Sequence, residues 1–156
     1  MTPNELMRRA IALSLEKMQA GSGGPFGAVI ARHGEIVAEG WNQVTSSNDP
    51  TAHAEVVAIR RACEALGRFD LSDCEIFTSC EPCPMCLAAV YWARLSRIHF
   101  GNDRVAAAAI GFDDDFLYRE VPKPIAERSI PTEQLLPAEA QLAFDAWAAK
   151  PDKIAY

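Results

Sequence analysis

No stretch of this chain is apolar for long enough to cross a bilayer. The longest uncharged apolar runs, Cys86–Ala93 and Val105–Phe112, fall well short of the roughly 18–20 residues a membrane helix needs. A secretory signal is missing as well. Arg8 and Arg9 stand near the start, but the apolar residues behind them stop at Glu16 and Lys17, with no small-residue cleavage site beyond. Positive charge is scarce: 15 Lys and Arg against 21 Asp and Glu leave a net charge of −6, and no basic run occurs. Polyanion-binding proteins gain affinity by replacing counterions with Lys and Arg, so nucleic acid is a disfavoured partner and a membrane surface is not expected. No internal repeat, low-complexity tract or Pro/Gly/Ser linker divides the 156 residues. A single domain over 1–156 is therefore expected, large enough to bury its own core. Five cysteines are an odd number, three of them within seven residues (Cys80, Cys83, Cys86). Without a leader, that pattern reads as reduced thiols and metal chemistry in the cytoplasm, not as a disulfide framework.

What is present alternates between helical and strand patterns. Thr2-Pro3-Asn4-Glu5 fits a capping box ahead of a stripe through Leu6, Ala10 and Leu13. Phe26–Ala31 and Glu35–Trp41 read as a hairpin turning at His33-Gly34. A polar loop over Asn42–Pro50 leads to a helix from about Ala52 to Leu66, closed by Gly67. Glu75–Ser79 reads as a strand, Pro84–Leu95 as a helix and Arg97–Gly101 as a further strand. An alanine-rich segment (Val105–Gly111), an acidic loop and a helix from about Pro137 to Lys150 complete the chain. Helices before, between and after strands predict an α/β fold in three layers, a mixed sheet covered on both faces.

Two clusters carry chemistry, His53-Ala54-Glu55 and Pro82-Cys83-Pro84-Met85-Cys86, each at the predicted start of a helix. Cysteines three apart lie about 60° apart on a helix and can grip one ion. A helix N-terminus also favours the thiolate that a metal requires. One His and two Cys supply three zinc ligands and leave the fourth tetrahedral position for water, as in a catalytic site. Residues two apart point about 200° away from each other in mid-helix, but at a first turn His53 and Glu55 can converge beyond the helix end. A carboxylate beside a metal-activated water can take its proton and pass it to a substrate. The combination H-x-E with P-C-x-x-C is the signature of zinc-dependent nucleobase deaminases.

Blander readings exist for each residue. Cys80, Cys83 and Cys86 suit an iron–sulfur cluster poorly, because positions 90 and 91 are Val and Tyr where a fourth Cys followed by Pro is wanted. A closed structural zinc site with Cys80 as fourth ligand leaves Glu55 without a role. Cys63 and Cys74 read as small buried residues, and His33 and His99 as structural. Trp92 reads as core packing and Asp113–Asp115 as a solvated acidic loop. Phe26, after a glycine loop, fits a core or a ring-stacking platform equally.

The runs Gly24–Ile30, Thr45–Glu55, Ser79–Cys86 with Tyr91–Arg94, and Gly111–Asp114 closely resemble the bacterial guanine deaminases of the zinc-dependent cytidine/deoxycytidylate deaminase superfamily. The resemblance covers nearly the whole chain. It implies a cytidine-deaminase-like mixed sheet of about five strands, and a homodimer whose C-terminal segment (about 137–156) crosses to the partner's active site. It implies one zinc per chain held by His53, Cys83 and Cys86, with Glu55 as proton shuttle. Phe26 would stack on the purine, Asn42 and the Ala54 backbone would hydrogen-bond it, and Asp114 would bind its far edge and carry a second proton. Trp92 would line the pocket and Tyr156 would reach it from the other subunit. The reaction implied is hydrolysis of guanine to xanthine and ammonia by attack of a zinc-held hydroxide on C2, a step of purine catabolism. Deamination of guanosine or of other amino-heterocycles, such as cytosine or triazines, is the nearest alternative. A tRNA adenosine deaminase conflicts with the net charge, and a non-catalytic zinc-binding module would have no use for Glu55.

Overall fold

The computed structural model describes all residues, 1–156. Its first element follows directly from a local signal. In α1 (Pro3–Gln19), Thr2 Oγ1 accepts from the Glu5 amide at 3.3 Å while Glu5 Oε2 accepts from the Thr2 amide at 2.7 Å. Two amides that the helix itself cannot satisfy are thereby paired. Leu6, Ala10 and Leu13 then face the sheet, packing with Val29, Ala31 and Phe77.

The hairpin forms where expected, from β1 (Gly27–Arg32) and β2 (Glu35–Trp41). His33 and Gly34 both have positive φ, 52° and 79°, the left-handed pair whose twist matches that of the flanking strands. With β3 (Glu75–Cys80) and β4 (Arg97–Asn102) the sheet order is β2-β1-β3-β4. Pairing is antiparallel for β1 with β2 and β3, and parallel for β3 with β4.

On the face opposite α1 lie α3 (Ala54–Leu66) and α4 (Pro84–Trp92). The main core fills that interface with Ala28, Ile30, Ile76, Ala58 and Val90 among others. Helices on both faces of a mixed sheet make the expected three layers. Gly67 (φ 62°) ends α3, and α4 stops at Trp92, short of Leu95, because Arg94 turns left-handed (φ 60°) and the Leu95 amide reaches back to Val90. Within the polar loop, Val44–Ser47 forms one helical turn, α2.

The sheet has four strands; the alanine-rich segment after β4 becomes a helix, α5 (Arg104–Ala109). Alanine favours helix most strongly, and Asp103 caps the turn by accepting from the Ala106 amide at 2.9 Å. The acidic run likewise opens α6 (Asp114–Glu120), where Asp113 accepts from the Phe116 amide. After a short 3₁₀ turn the chain ends in α7 (Pro137–Ala149) and a tail. No residue after Ala107 is buried, and α7 leaves Leu142, Phe144 and Trp147 exposed. No helix is long and apolar enough to cross a membrane.

Candidate metal and catalytic centre

Two helix starts meet at one end of the sheet. His53 is the N-cap of α3 and Cys83 the N-cap of α4, both with extended backbone (ψ 155° and 167°). That non-helical entry releases each side chain from the helical spacing that would send it away from its neighbour. His53 Nδ1 lies 3.7 Å from Cys83 Sγ and 3.5 Å from Cys86 Sγ, and all three donor atoms fall within 4.8 Å of one another. Zinc bonds of about 2.3 Å to sulfur and 2.0–2.1 Å to nitrogen at a tetrahedral angle require about 3.6 Å between S and N. The donor set therefore already has the dimensions of a zinc site. Hydrogen bonds from Cys86 and then from His53 together lower the Cys83 thiol to about 4, against the opposing effect of burial. The Cys86–Cys83 bond raises Cys86, which keeps the shared proton, and contact with Cys83 raises His53.

Glu55 lies in the first turn of α3, 5% exposed, and burial pushes its carboxyl upward. Its Oε1 accepts a 3.0 Å hydrogen bond from the Thr78 hydroxyl on β3. His53, Glu55 and Cys83 line one cavity of about 320 Å³ together with Phe26, Asn42 and Asp114. Phe26 forms its aromatic wall, set by Phe112 packing edge-on at 4.8 Å. Asn42 is buried, and its Oδ1 accepts from the Gly24 and Val44 amides at 3.2 and 3.1 Å. With the carbonyl side consumed, the carboxamide offers its N–H donors to whatever enters. Asp114, at the start of α6, is raised by burial and then by the nearby Cys83. α6 is held in place by Tyr118, whose hydroxyl donates to the Pro82 carbonyl at 2.8 Å. The wall includes Glu55, Glu81, Asp114 and Cys83 but no Lys or Arg. Such a cavity suits a cation and a ligand rich in N–H donors, and it repels phosphate.

The structure thus gathers His53, Cys83, Cys86, Glu55, Phe26, Asn42 and Asp114, with Ala54 fully buried between His53 and Glu55. Trp92 is exposed, which corrects its reading as core packing, and within its own chain it does not line this cavity. Nine residues beyond Cys83 along α4, it sits about 13 Å from the cysteine end. There it faces Tyr156 of its own chain at 6.0 Å, both lining a separate apolar cavity of about 520 Å³ with Val56 and Ile59. Cys80 lies outside the metal-ligating group; its Sγ contacts the Asp103 carbonyl at 3.8 Å, and burial raises its thiol to about 11. His99 is structural, stacked on Phe77 at 4.3 Å and bonded to Glu75 at 2.7 Å. Sequence reasoning missed Thr78, Phe112 as a separate contributor, and the Val44–Thr45 wall. For Thr78 the signal was available: a hydroxyl on a strand face whose previous inward residue is Ile76.

Comparison with known proteins places these features in context. Residues 1–102 match the cytidine and deoxycytidylate deaminase zinc-binding region. The chain is 53% identical to guanine deaminase of Bacillus subtilis over 94% of both chains. An X-ray structure of the Bacillus subtilis guanine deaminase superposes with a TM-score of 0.97, covering 100% of this chain and 99% of that one at 51% identity. A guanine deaminase structure from Nitrosomonas europaea gives 0.71 at 32% identity, covering 79% of this chain and 68% of that one. A tRNA-specific adenosine deaminase of Agrobacterium fabrum is 41% identical over 55% of this chain and 57% of its own length.

Proposed function

Because the chain belongs to the cytidine and deoxycytidylate deaminase family, we propose that it hydrolyses guanine to xanthine and ammonia, with one zinc ion bound per chain. The observation that carries this reading is the cavity: a zinc-sized donor group, a buried carboxylate, an aromatic wall and a fixed amide donor share one space. At about 320 Å³ it lies at the small end of ligand pockets, which run from about 300 to 1,000 Å³. A free base fits that size better than a nucleoside, and the absence of a lining cation disfavours a nucleotide.

His53 Nδ1, Cys83 and Cys86 would hold the ion, which when bound polarises a water and lowers its pKa towards about 7. Glu55 takes one proton from the attacking water and delivers it to ring N3, then takes the remaining proton from the new C2 hydroxyl and passes it to the amino group, so that the C2–N bond breaks and ammonia leaves. One water is consumed, and C2 exchanges its amino nitrogen for oxygen. Phe26 stacks on the purine. Asn42 donates to a ring or carbonyl acceptor, while the Ala54 backbone gives a further hydrogen bond. Asp114 accepts from the N–H donors at the other edge and serves as a second proton carrier.

We extend the proposal to a homodimer in which residues of about 137–156 cross to the partner, bringing Tyr156 over its cavity. The exposure of Leu142, Phe144 and Trp147 on α7 supports this, since that helix has no buried residue within its own chain. The proposed partners are small purines, not nucleic acid. The deciding experiment is ammonia release by the zinc-loaded protein with guanine and guanosine in parallel. Release from guanine alone is expected. Release from guanosine alone, or from neither with zinc bound, overturns the assignment.

A further inference from the structure

We infer that Thr78 is a positioning residue for the proton carrier, an inference that rests on the role proposed above for Glu55. β3 alternates its side chains between the two faces of the sheet. Phe77 packs towards α1, whereas Ile76 belongs to the core beneath α3 and α4. Thr78 follows Ile76 on that inner side, directly under the first turn of α3, and is only 1% exposed. Valine has the same branched shape and would fill the site without a hydroxyl. A buried hydroxyl is unfavourable without a partner, and the partner here is Glu55 Oε1 at 3.0 Å.

The support is rigid. Residue 78 pairs with Ala28 on β1 and with Phe100 on β4, so the hydroxyl sits on a strand bonded from both sides. A β-branched residue is also stiff at χ1. Glutamate, by contrast, has three rotatable bonds and stands at a helix end. The Thr78 bond therefore references the carboxylate to the sheet, while the metal donors are referenced to the helix starts. It also makes the two carboxylate oxygens unequal. Oε1 carries the Thr78 bond, and that bond fixes which way the carboxylate plane faces. A mobile carboxylate would spend part of its time out of reach of the reacting atoms, which lowers turnover more than binding.

The test compares Thr78→Val, isosteric without the hydroxyl, with Thr78→Ser, which keeps the hydroxyl and loses the methyl. Thr78→Ala replaces the valine variant if that protein does not accumulate folded. Zinc content, melting temperature, kcat and KM for guanine are measured for each. The expected result is a fall in kcat of at least tenfold, equivalent to ~1.4 kcal/mol, for Thr78→Val, with KM and zinc content unchanged. Thr78→Ser should stay within about threefold. Independently of turnover, infrared difference spectra identify the Glu55 carboxyl band as the one lost in Glu55→Gln. That band should move to higher wavenumber in Thr78→Val and return in Thr78→Ser. A valine variant with kcat within twofold of the parent, a serine variant as impaired as the valine one, or an unmoved band overturns the inference. If the parent enzyme does not act on guanine, the proposed reaction falls, and the infrared comparison still decides whether Thr78 holds Glu55.

Discussion

Gly40 is the point at which a single methyl group should displace the centre without touching it. The residue lies on β2 opposite Ala28 and beneath α3. A Cβ built there would stand 2.2 Å from the Ala54 carbonyl oxygen, 2.6 Å from the Ala58 amide nitrogen and 2.9 Å from Ala58 Cβ. Ordinary contact begins near 3.4 Å, so the helix must retreat by about 1.2 Å or the strand must bend. The nearest atoms are backbone and cannot rotate away. Overpacking of this kind costs about 1–3 kcal/mol, a fall in melting temperature of roughly 2–12 °C for a chain of this size. Ala54 adjoins both His53 and Glu55, so the same shift moves a metal donor and the proton carrier relative to Cys83, Cys86 and Thr78. A misplacement of about 1 Å can reduce a rate about 10²-fold.

Gly40→Ala is accordingly expected to lose about 10²-fold in kcat for guanine and to bind zinc more weakly, as read by competition with a chromogenic chelator. Gly67→Ala is the matched control. Gly67 closes the other end of α3 at φ 62° with nothing within 4 Å of its missing side chain. An alanine there carries the left-handed backbone penalty of about 1–2 kcal/mol but moves nothing at the site. Its activity per zinc should equal that of the parent. If Gly40→Ala turns over within threefold of the parent, or if Gly67→Ala is equally impaired, the close approach of β2 to α3 does not set the geometry of the centre.

Glu55→Gln should keep its zinc and lose about 10²–10⁴ in kcat, the usual worth of general acid–base help; near-normal turnover in the zinc-replete variant refutes the shuttle role. Deletion of Ile154–Tyr156 should lower kcat/KM for guanine by about three- to tenfold, the worth of roughly one hydrogen bond. The melting temperature should hardly move, because none of the three residues is buried; unaltered kcat/KM would show that the tail closes no cavity. Glu39 accepts from Arg9 Nε at 2.6 Å and from Nη2 at 2.9 Å, and those bonds hold its carboxyl below the usual 4.5. A depressed carboxyl stabilises above its unfolded value, and the benefit is lost as pH falls through the folded one. Glu39→Gln should thus cost about 0.5–1 kcal/mol at pH 7 for this partly exposed pair, with the deficit narrowing towards pH 4 in urea titrations; a constant deficit contradicts the linkage.

The parts of the fold legible in the sequence are those with a local cause. The Thr2–Glu5 box, the His33-Gly34 turn and the Gly67 cap each depend on a few adjacent residues, and each forms as read. α5 and α6 were not legible as helices. They span six and seven residues, too short to be stable on their own, and are held by Asp103 and Asp113 at their caps and by the Tyr118–Pro82 bond. That last contact joins positions 36 apart in sequence, which no periodicity reports.

The centre divides the same way. His53, Glu55, Cys83 and Cys86 could be read because helix starts supply the convergence that their spacing alone denies. Phe26 was open between core and platform until Phe112 set its ring at the cavity wall. Trp92 read as core packing from its residue type alone, whereas the structure leaves it exposed at the last turn of α4, away from the end that carries Cys83. The same geometry bears on the tail. Trp92 and Tyr156 meet at the far end of α4, on an apolar surface shared with α3, while α7 exposes Leu142, Phe144 and Trp147. About 25 cal/mol is gained for each Å² of apolar area removed from water, so the second copy of the chain proposed above would stabilise this helix and that surface by covering them. If the last residues do cross between copies, kcat/KM of the truncated enzyme should be low at every protein concentration. That of the full chain should fall only on dilution below the dimer's dissociation constant.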